Sequence, residues 1–322
     1  MFFFKTIKKK IRNKFLFLFL KFKNHSIKNV IILTSEPRSG STWLMEIFGS
    51  LPNCIINWEP LQVSSGVVPK KFKLGNRPYI EERDSTKKYN ELFKQILTLK
   101  KSNRWTTRYI SIKKLISSKH IITKFVRANS LLPWFTTSFD FKHKPVLLLR
   151  HPIPTCVSQL RNFHKETSFS ISEPFREQYK FMPPDCINNY RYNKHTEFIN
   201  TLTTPLERQI AIWCVNNCEV INHSSKGNWI TVFYEQLVLD PEKELTNLLK
   251  KMDLPYSLKD FGEINYKKPS QSNYLNEYNR NSKMQLESFL KDFEESYLRK
   301  IQVIFDYFDF KTYDALTAYP HI

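Results

Sequence analysis

The sequence predicts an α/β domain: a central parallel sheet with helices on both faces. Three observations carry this prediction. Four short apolar runs have strand character, at Asn29–Thr34, Ile121–Val126, Pro145–Leu149 and Trp229–Phe233. Stretches of helical period lie between and after them, near Tyr89–Lys100, at Pro205–His223 and at Leu286–Phe308. Strands that alternate with helices pair in parallel, and a ligand then sits at their C-terminal edge. The third observation is size: 322 residues, 41% of them apolar, suffice for one large α/β domain. The domain is expected over residues 27–322, after a separate segment, 1–26.

The N-terminal segment alternates basic and apolar blocks. Phe2-Phe3-Phe4 precedes Lys8-Lys9-Lys10, and the longest apolar run, Phe15 to Leu20, has six residues. A spanning helix needs about twenty apolar residues, and a signal peptide needs a longer apolar core with a small-residue cleavage site. The expectation is therefore neither secretion nor a membrane span, but a cytoplasmic protein. A basic, Phe-rich segment suits the interface of an anionic membrane, so peripheral contact is expected there.

The first strand runs into the most informative segment, Thr34-Ser35-Glu36-Pro37-Arg38-Ser39-Gly40-Ser41-Thr42, and the helical stretch Trp43–Phe48 follows. Strand, small-residue loop and helix start together make a phosphate site. Unpartnered N–H groups and the helix dipole favour an anion there. Gly40 leaves room for a close oxygen, Ser39, Ser41 and Thr42 add hydroxyls, and Arg38 adds a charged fork. The loop lacks the spaced glycines and the lysine of a Walker A motif.

Glu59-Pro60 comes after this helix. Residues 64–118 are polar and Lys-rich and read as a substrate-side insertion. The strand at Ile121–Val126 carries Lys124 near its end. The strand at Pro145–Leu149 ends in Arg150-His151-Pro152, and Ser158 lies eight residues after Arg150. Arg150 can hold a dianionic phosphate in bidentate fashion, and Ser158 would face it from the first turns of a following helix. A further strand ends at Val232-Phe233-Tyr234-Glu235-Gln236-Leu237, and Asp240-Pro241 opens a helix with Leu245, Leu248 and Leu249 on one face.

Composition narrows the classes. A formal charge of +20 concentrates anionic partners. No recognisable nucleic-acid module is present, so no nucleic acid is expected as partner. The five cysteines show no zinc spacing and no disulfide framework, which points to a reducing compartment and to no metal.

The loop at Arg38–Thr42, the Arg150/Ser158 pair and the Tyr234–Pro241 segment, in this order, resemble sulfotransferases that use 3′-phosphoadenosine 5′-phosphosulfate (PAPS). The Arg-first loop is closest in style to carbohydrate and tyrosylprotein members. The resemblance implies a P-loop-type sulfotransferase fold and in-line sulfonate transfer to an acceptor hydroxyl without a metal. It implies that Arg38, Ser39, Gly40, Ser41 and Thr42 hold the 5′-phosphosulfate. It places Arg150 and Ser158 at the 3′-phosphate and Lys283 on a cofactor-covering loop. It makes Glu59 the base, with Arg38 and Lys124 stabilising charge in transfer. A glycan or glycolipid acceptor is expected, with tyrosylprotein or small-molecule acceptors as the alternative. A P-loop kinase and a non-catalytic basic membrane- or nucleic-acid-binding protein are the rival classes. The kinase is disfavoured by the missing Walker lysine and by the lack of a convincing magnesium-binding aspartate at a strand end.

Overall fold

The computed structural model describes residues 15–84, 86–163, 172, 186, 189–262 and 282–321. The strands are β1 (Val30–Ser35), β2 (Cys54–Trp58), β3 (His120–Val126), β4 (Val146–Leu149) and β5 (Ile230–Phe233). The principal helices are α1 (Ser41–Ser50), α2 (Lys87–Leu97), α3 (Leu132–Ser138), α4 (Pro152–Phe163), α5 (Pro205–Ile221), α6 (Tyr234–Leu239), α7 (Pro241–Lys251) and α8 (Glu295–Tyr307). The strands form one parallel sheet in the order β2-β3-β1-β4-β5, so this is a single α/β domain.

The order decides where a ligand goes. After β1 the chain turns towards β2, whereas after β4 it turns towards β5. The C-terminal ends of β1 and β4 therefore flank the point where open α/β sheets leave a crevice. The register brings the strand ends level: Ser35 pairs with both Val126 and Leu148, and Trp58 pairs with Lys124.

Each sheet face is covered. On one, Ile31, Leu33, Ile56, Ile122, Leu148 and Val232 pack against Met45 and Phe48 of α1 and Leu245, Leu248 and Leu249 of α7. On the other, Val30, Ile32, Ile55 and Ile121 meet Phe93 and Ile96 of α2 and Trp134 and Phe135 of α3. Further along that side, Leu147 and Leu149 meet α4, α5 and α8. Burial on both sides is why β1 and β4 read as continuous apolar runs. Helix α5 starts where its chemistry says it must. Thr204 and Glu207 form a capping box, with Pro205 at the first helical position.

Two elements differ from expectation. Strand β2 is not among the four predicted runs. It is five residues long and carries Asn57, whose Nδ2 donates to Ile96 O and Thr123 Oγ1, both distant in sequence. The helix expected at Leu286–Phe308 is broken into Ser282–Glu287, Phe289–Asp292 and α8. Phe293 and Glu294 are extended between the last two, which sets Glu295 in the first turn of α8, where the helix dipole favours acid.

Residues 15–22 are helical. Leu16 and Leu20 are buried with Phe93 and Ile96, and Lys23 Nζ donates to the carbonyls of Leu115 and Ile116 at 2.6 Å. The opposite stripe, Phe15, Leu18, Phe19 and Phe22, is exposed, Phe22 to 77%. No helix among the described residues is long and apolar enough to cross a membrane.

Candidate active site

The loop after β1 and the start of α1 form the first half of the site. Arg38 and Gly40 both take left-handed backbone, at φ 68° and 86°. Left-handed residues in a turn aim backbone N–H groups into an anion-binding concavity. Gly40 is the N-cap of α1, whose first N–H groups have no intrahelical acceptor. Only glycine fits there. A Cβ on Gly40 would lie 2.5 Å from the Tyr234 ring, besides being strained by its φ.

Arg150, just beyond β4, closes over this loop. Its Nη1 donates to the Arg38 carbonyl at 2.9 Å, and its guanidinium stacks 4.8 Å from the centre of the Tyr234 ring. Arg38 Nε in turn donates to Ser158 Oγ on α4 at 3.0 Å. Arg38 thus meets Arg150 and Ser158, each more than a hundred residues further along the chain. Ser39 Oγ and Arg150 Nε are buried with no partner among the described residues. Orphaned donors beside two guanidiniums and a helix start fit an oxygen-rich anion, as the phosphate and sulfate groups of PAPS are.

Supports behind the loop were not visible in the sequence. Gln159 donates from Nε2 to Pro37 O, and its Oε1 accepts from Gln209 Nε2. Glu36 is buried, and burial raises its carboxyl pKa against the pull of Arg77, Arg127 and Arg191. Glu235 is buried too. It accepts the His151 N–H at 2.8 Å and the Tyr313 hydroxyl at 2.7 Å. The Tyr234-Glu235 pair of the third motif therefore braces Gly40, Arg150 and His151 from behind. His151 is fully buried, and desolvation lowers its pKa to about 4.

The second half of the site lies at the ends of β2 and β3. Lys124 is on the α1 face of the sheet, next to its strand partner Trp58, with Nζ 4.0 Å from that ring's centre. The same Nζ donates to Glu59 Oε1 at 2.6 Å and to Thr42 Oγ1 at 3.1 Å. Lys124 thus ties the phosphate loop to Glu59. Burial pulls its ammonium pKa down, and the Glu59 carboxylate opposes that. Glu59 has left-handed backbone, φ 38°, held by its own N–H to Lys124 O and by the Trp105 indole N–H to its carbonyl. Glu46, four residues after Thr42 on α1, also acts electrostatically on Lys124. The i,i+4 spacing from Thr42 was its only sequence signal.

The 64–118 stretch divides into two parts. Helix α2 belongs to the core, whereas Trp105, Arg108 and Tyr109 reach the second half of the site. Lys283 lies on Ser282–Glu287, beside Glu287 at 3.9 Å. The neighbouring Tyr266–Ser270 segment, read with it as a covering loop, falls outside the described residues. All five cysteines are buried.

No curated protein matches the chain. Solved structures do. The sulfotransferase domain from the curacin biosynthetic pathway matches with 16% identity and a TM-score of 0.39, covering 76% of this chain and 78% of that one. Mouse sulfotransferase SULT7A1 complexed with PAP matches with 14% identity and a TM-score of 0.44, over 89% and 86%. Retinol dehydratase in complex with androsterone and inactive cofactor PAP matches with 14% identity and a TM-score of 0.41, over 87% and 80%. The model of the sulfotransferase family matches residues 30–258. That span takes in every strand of the sheet and both halves of the site, and so the chain belongs to the sulfotransferase family, enzymes that transfer sulfonate from PAPS.

Proposed function

We propose that this enzyme sulfates a hydroxyl of a glycan or glycolipid, with Glu59 as the base. One observation carries the assignment of roles: Lys124 Nζ touches both Thr42 of the phosphate loop and the Glu59 carboxylate. A base must sit within hydrogen-bond reach of the proton it takes, next to the group being transferred. PAPS supplies the sulfonate. Arg38 to Thr42 hold its 5′-phosphosulfate, Arg150 and Ser158 its 3′-phosphate, and Lys283 comes from the covering side. The acceptor oxygen bonds to sulfur as the bond from sulfur to the bridging phosphate oxygen breaks. Glu59 takes the hydroxyl proton, and the electron pair leaves with 3′-phosphoadenosine 5′-phosphate. Charge grows on the departing phosphate, where Arg38, Lys124 and the start of α1 offer fixed positive ends. No metal is called for.

The sugar acceptor is supported by the Arg-first loop and by Glu59-Pro60 at the place where carbohydrate and tyrosylprotein enzymes keep their acid. The setting we propose is the cytoplasmic face of a membrane. The exposed stripe Phe15, Leu18, Phe19 and Phe22 supports it: these residues lie at i, i+3, i+4 and i+7 in a segment dense with lysine. Labelled PAPS offered with a panel of saccharides, phenols and tyrosine peptides tests the acceptor. Labelled saccharide is expected; label on phenols or peptides alone overturns it. For the setting, flotation with phosphatidylglycerol vesicles should carry the wild type, and Phe19→Ser/Phe22→Ser should stay behind. Equal flotation of both proteins removes the stripe from the account.

A further inference from the structure

The rim beside Glu59 holds a cation that the transfer chemistry does not use. Arg108 is exposed, and its guanidinium carbon lies 4.9 Å from the centre of the Trp105 ring, 5.5 Å from Tyr109 and 5.8 Å from Trp58. The rings brace one another, Trp58 against Tyr109 at 5.0 Å and against Trp105 at 6.4 Å. The cluster is anchored to the reacting end of the site in two ways. Trp105 hydrogen-bonds the Glu59 carbonyl at 3.2 Å, and Lys124 Nζ lies 4.0 Å from the centre of the Trp58 ring. The Tyr109 hydroxyl lies within electrostatic range of Arg108, Glu46 and Glu59 together.

Among the described residues no carboxylate forms an ion pair with Arg108. A guanidinium held by stacking has already given up much of its side-chain freedom. Its planar fork therefore binds an oxyanion at a smaller entropic cost than a free surface arginine would. Resting on the reading of Glu59 as the base, we propose that Arg108, on its Trp58–Trp105–Tyr109 platform, is an acceptor subsite selecting sugars that carry a carboxylate near the hydroxyl to be sulfated.

Two matched pairs of acceptors test this with labelled PAPS: p-nitrophenyl β-glucuronide against p-nitrophenyl β-glucoside, and 4-hydroxyphenylpropionate against 4-ethylphenol. The wild type should show a KM for the glucuronide about tenfold or more below that for the glucoside, the scale of a charged hydrogen-bonded contact. Arg108→Gln should erase the difference by raising the glucuronide KM, and Arg108→Lys should restore only part of it. Calorimetry with 3′-phosphoadenosine 5′-phosphate checks that each variant still binds nucleotide. Equal use of both members of each pair, or an acid preference that survives Arg108→Gln, overturns the subsite. Label on phenols alone, with the acid preferred and Arg108-dependent, overturns the sugar reading but keeps the anion subsite. Binding of nucleotide with turnover of none of the four overturns both.

Discussion

The two halves of the active site are built on different plans. The proposed donor half, around Arg38–Thr42 and Arg150, is backbone held from behind. Two left-handed residues shape the loop, and Tyr234, Glu235, Gln159 and Glu36 brace it. The proposed acceptor half is made of side chains facing one another: Lys124 between Thr42 and Glu59, and Arg108 over three rings. A backbone cradle recognises a group common to every turnover and tolerates little change. A side-chain cluster can be altered residue by residue, which suits the part of the enzyme that must match one acceptor.

The largest expected effect breaks that comparison at the acceptor half. Glu59→Gln should lower kcat about a hundredfold or more, the usual scale of general base catalysis. Its affinity for 3′-phosphoadenosine 5′-phosphate should stay near wild type, because the cradle does not depend on it. Turnover at the wild-type rate would move the base elsewhere.

Acid should cost stability through His151. The His151 imidazole takes its proton near pH 4 when buried but near pH 6.5 when exposed. Between these values the unfolded chain binds more protons than the folded one. The stability from keeping His151 neutral is therefore complete above about pH 6.5 and is lost as pH falls towards 4, in total roughly 3 kcal/mol. Denaturant melts at pH 7 and pH 5 should differ in this direction. A His151→Gln variant should show a shallower slope, and an unchanged slope would acquit this residue.

Next is the 3′-phosphate. Arg150→Ala should reduce the preference for 3′-phosphoadenosine 5′-phosphate over AMP by about ten- to a hundredfold, matching roughly 1.5–3 kcal/mol for a charged hydrogen bond. If calorimetry finds the ratio intact, Arg150 serves only to hold the Arg38 carbonyl.

The smallest effect sharpens the account of the cradle. Gly40→Ala should destabilise by about 1–3 kcal/mol, from left-handed strain and from the clash with Tyr234. Tyr234→Ala should remove the clash but not the strain, so Gly40→Ala should cost less in the Tyr234→Ala background than in the wild type, the remainder being the strain. Thermal melts of the four proteins read this directly.

By itself the sequence determined the α/β class, four of the five strands and the small-residue turn from β1 into α1. These follow from local chemistry: apolar runs bounded by breakers, and a helix start that needs a small residue. It also named Arg150, Ser158, Glu59 and Lys124, but as separate positions. Only the tertiary structure decided that Lys124 joins Glu59 to Thr42, and that Arg38 bridges to Ser158 beneath Arg150. Strand β2 was hidden because Asn57 interrupts its pattern and finds its partners on α2 and β3. Glu36 and Glu235 look like ordinary surface acids in a linear reading, yet both are buried, and the partners that allow this lie far along the chain. Trp105, Arg108 and Tyr109 sat unread in a polar stretch for the same reason. A parallel sheet brings its strand ends together from segments tens of residues apart, so the residues that meet at its edge leave no shared local pattern.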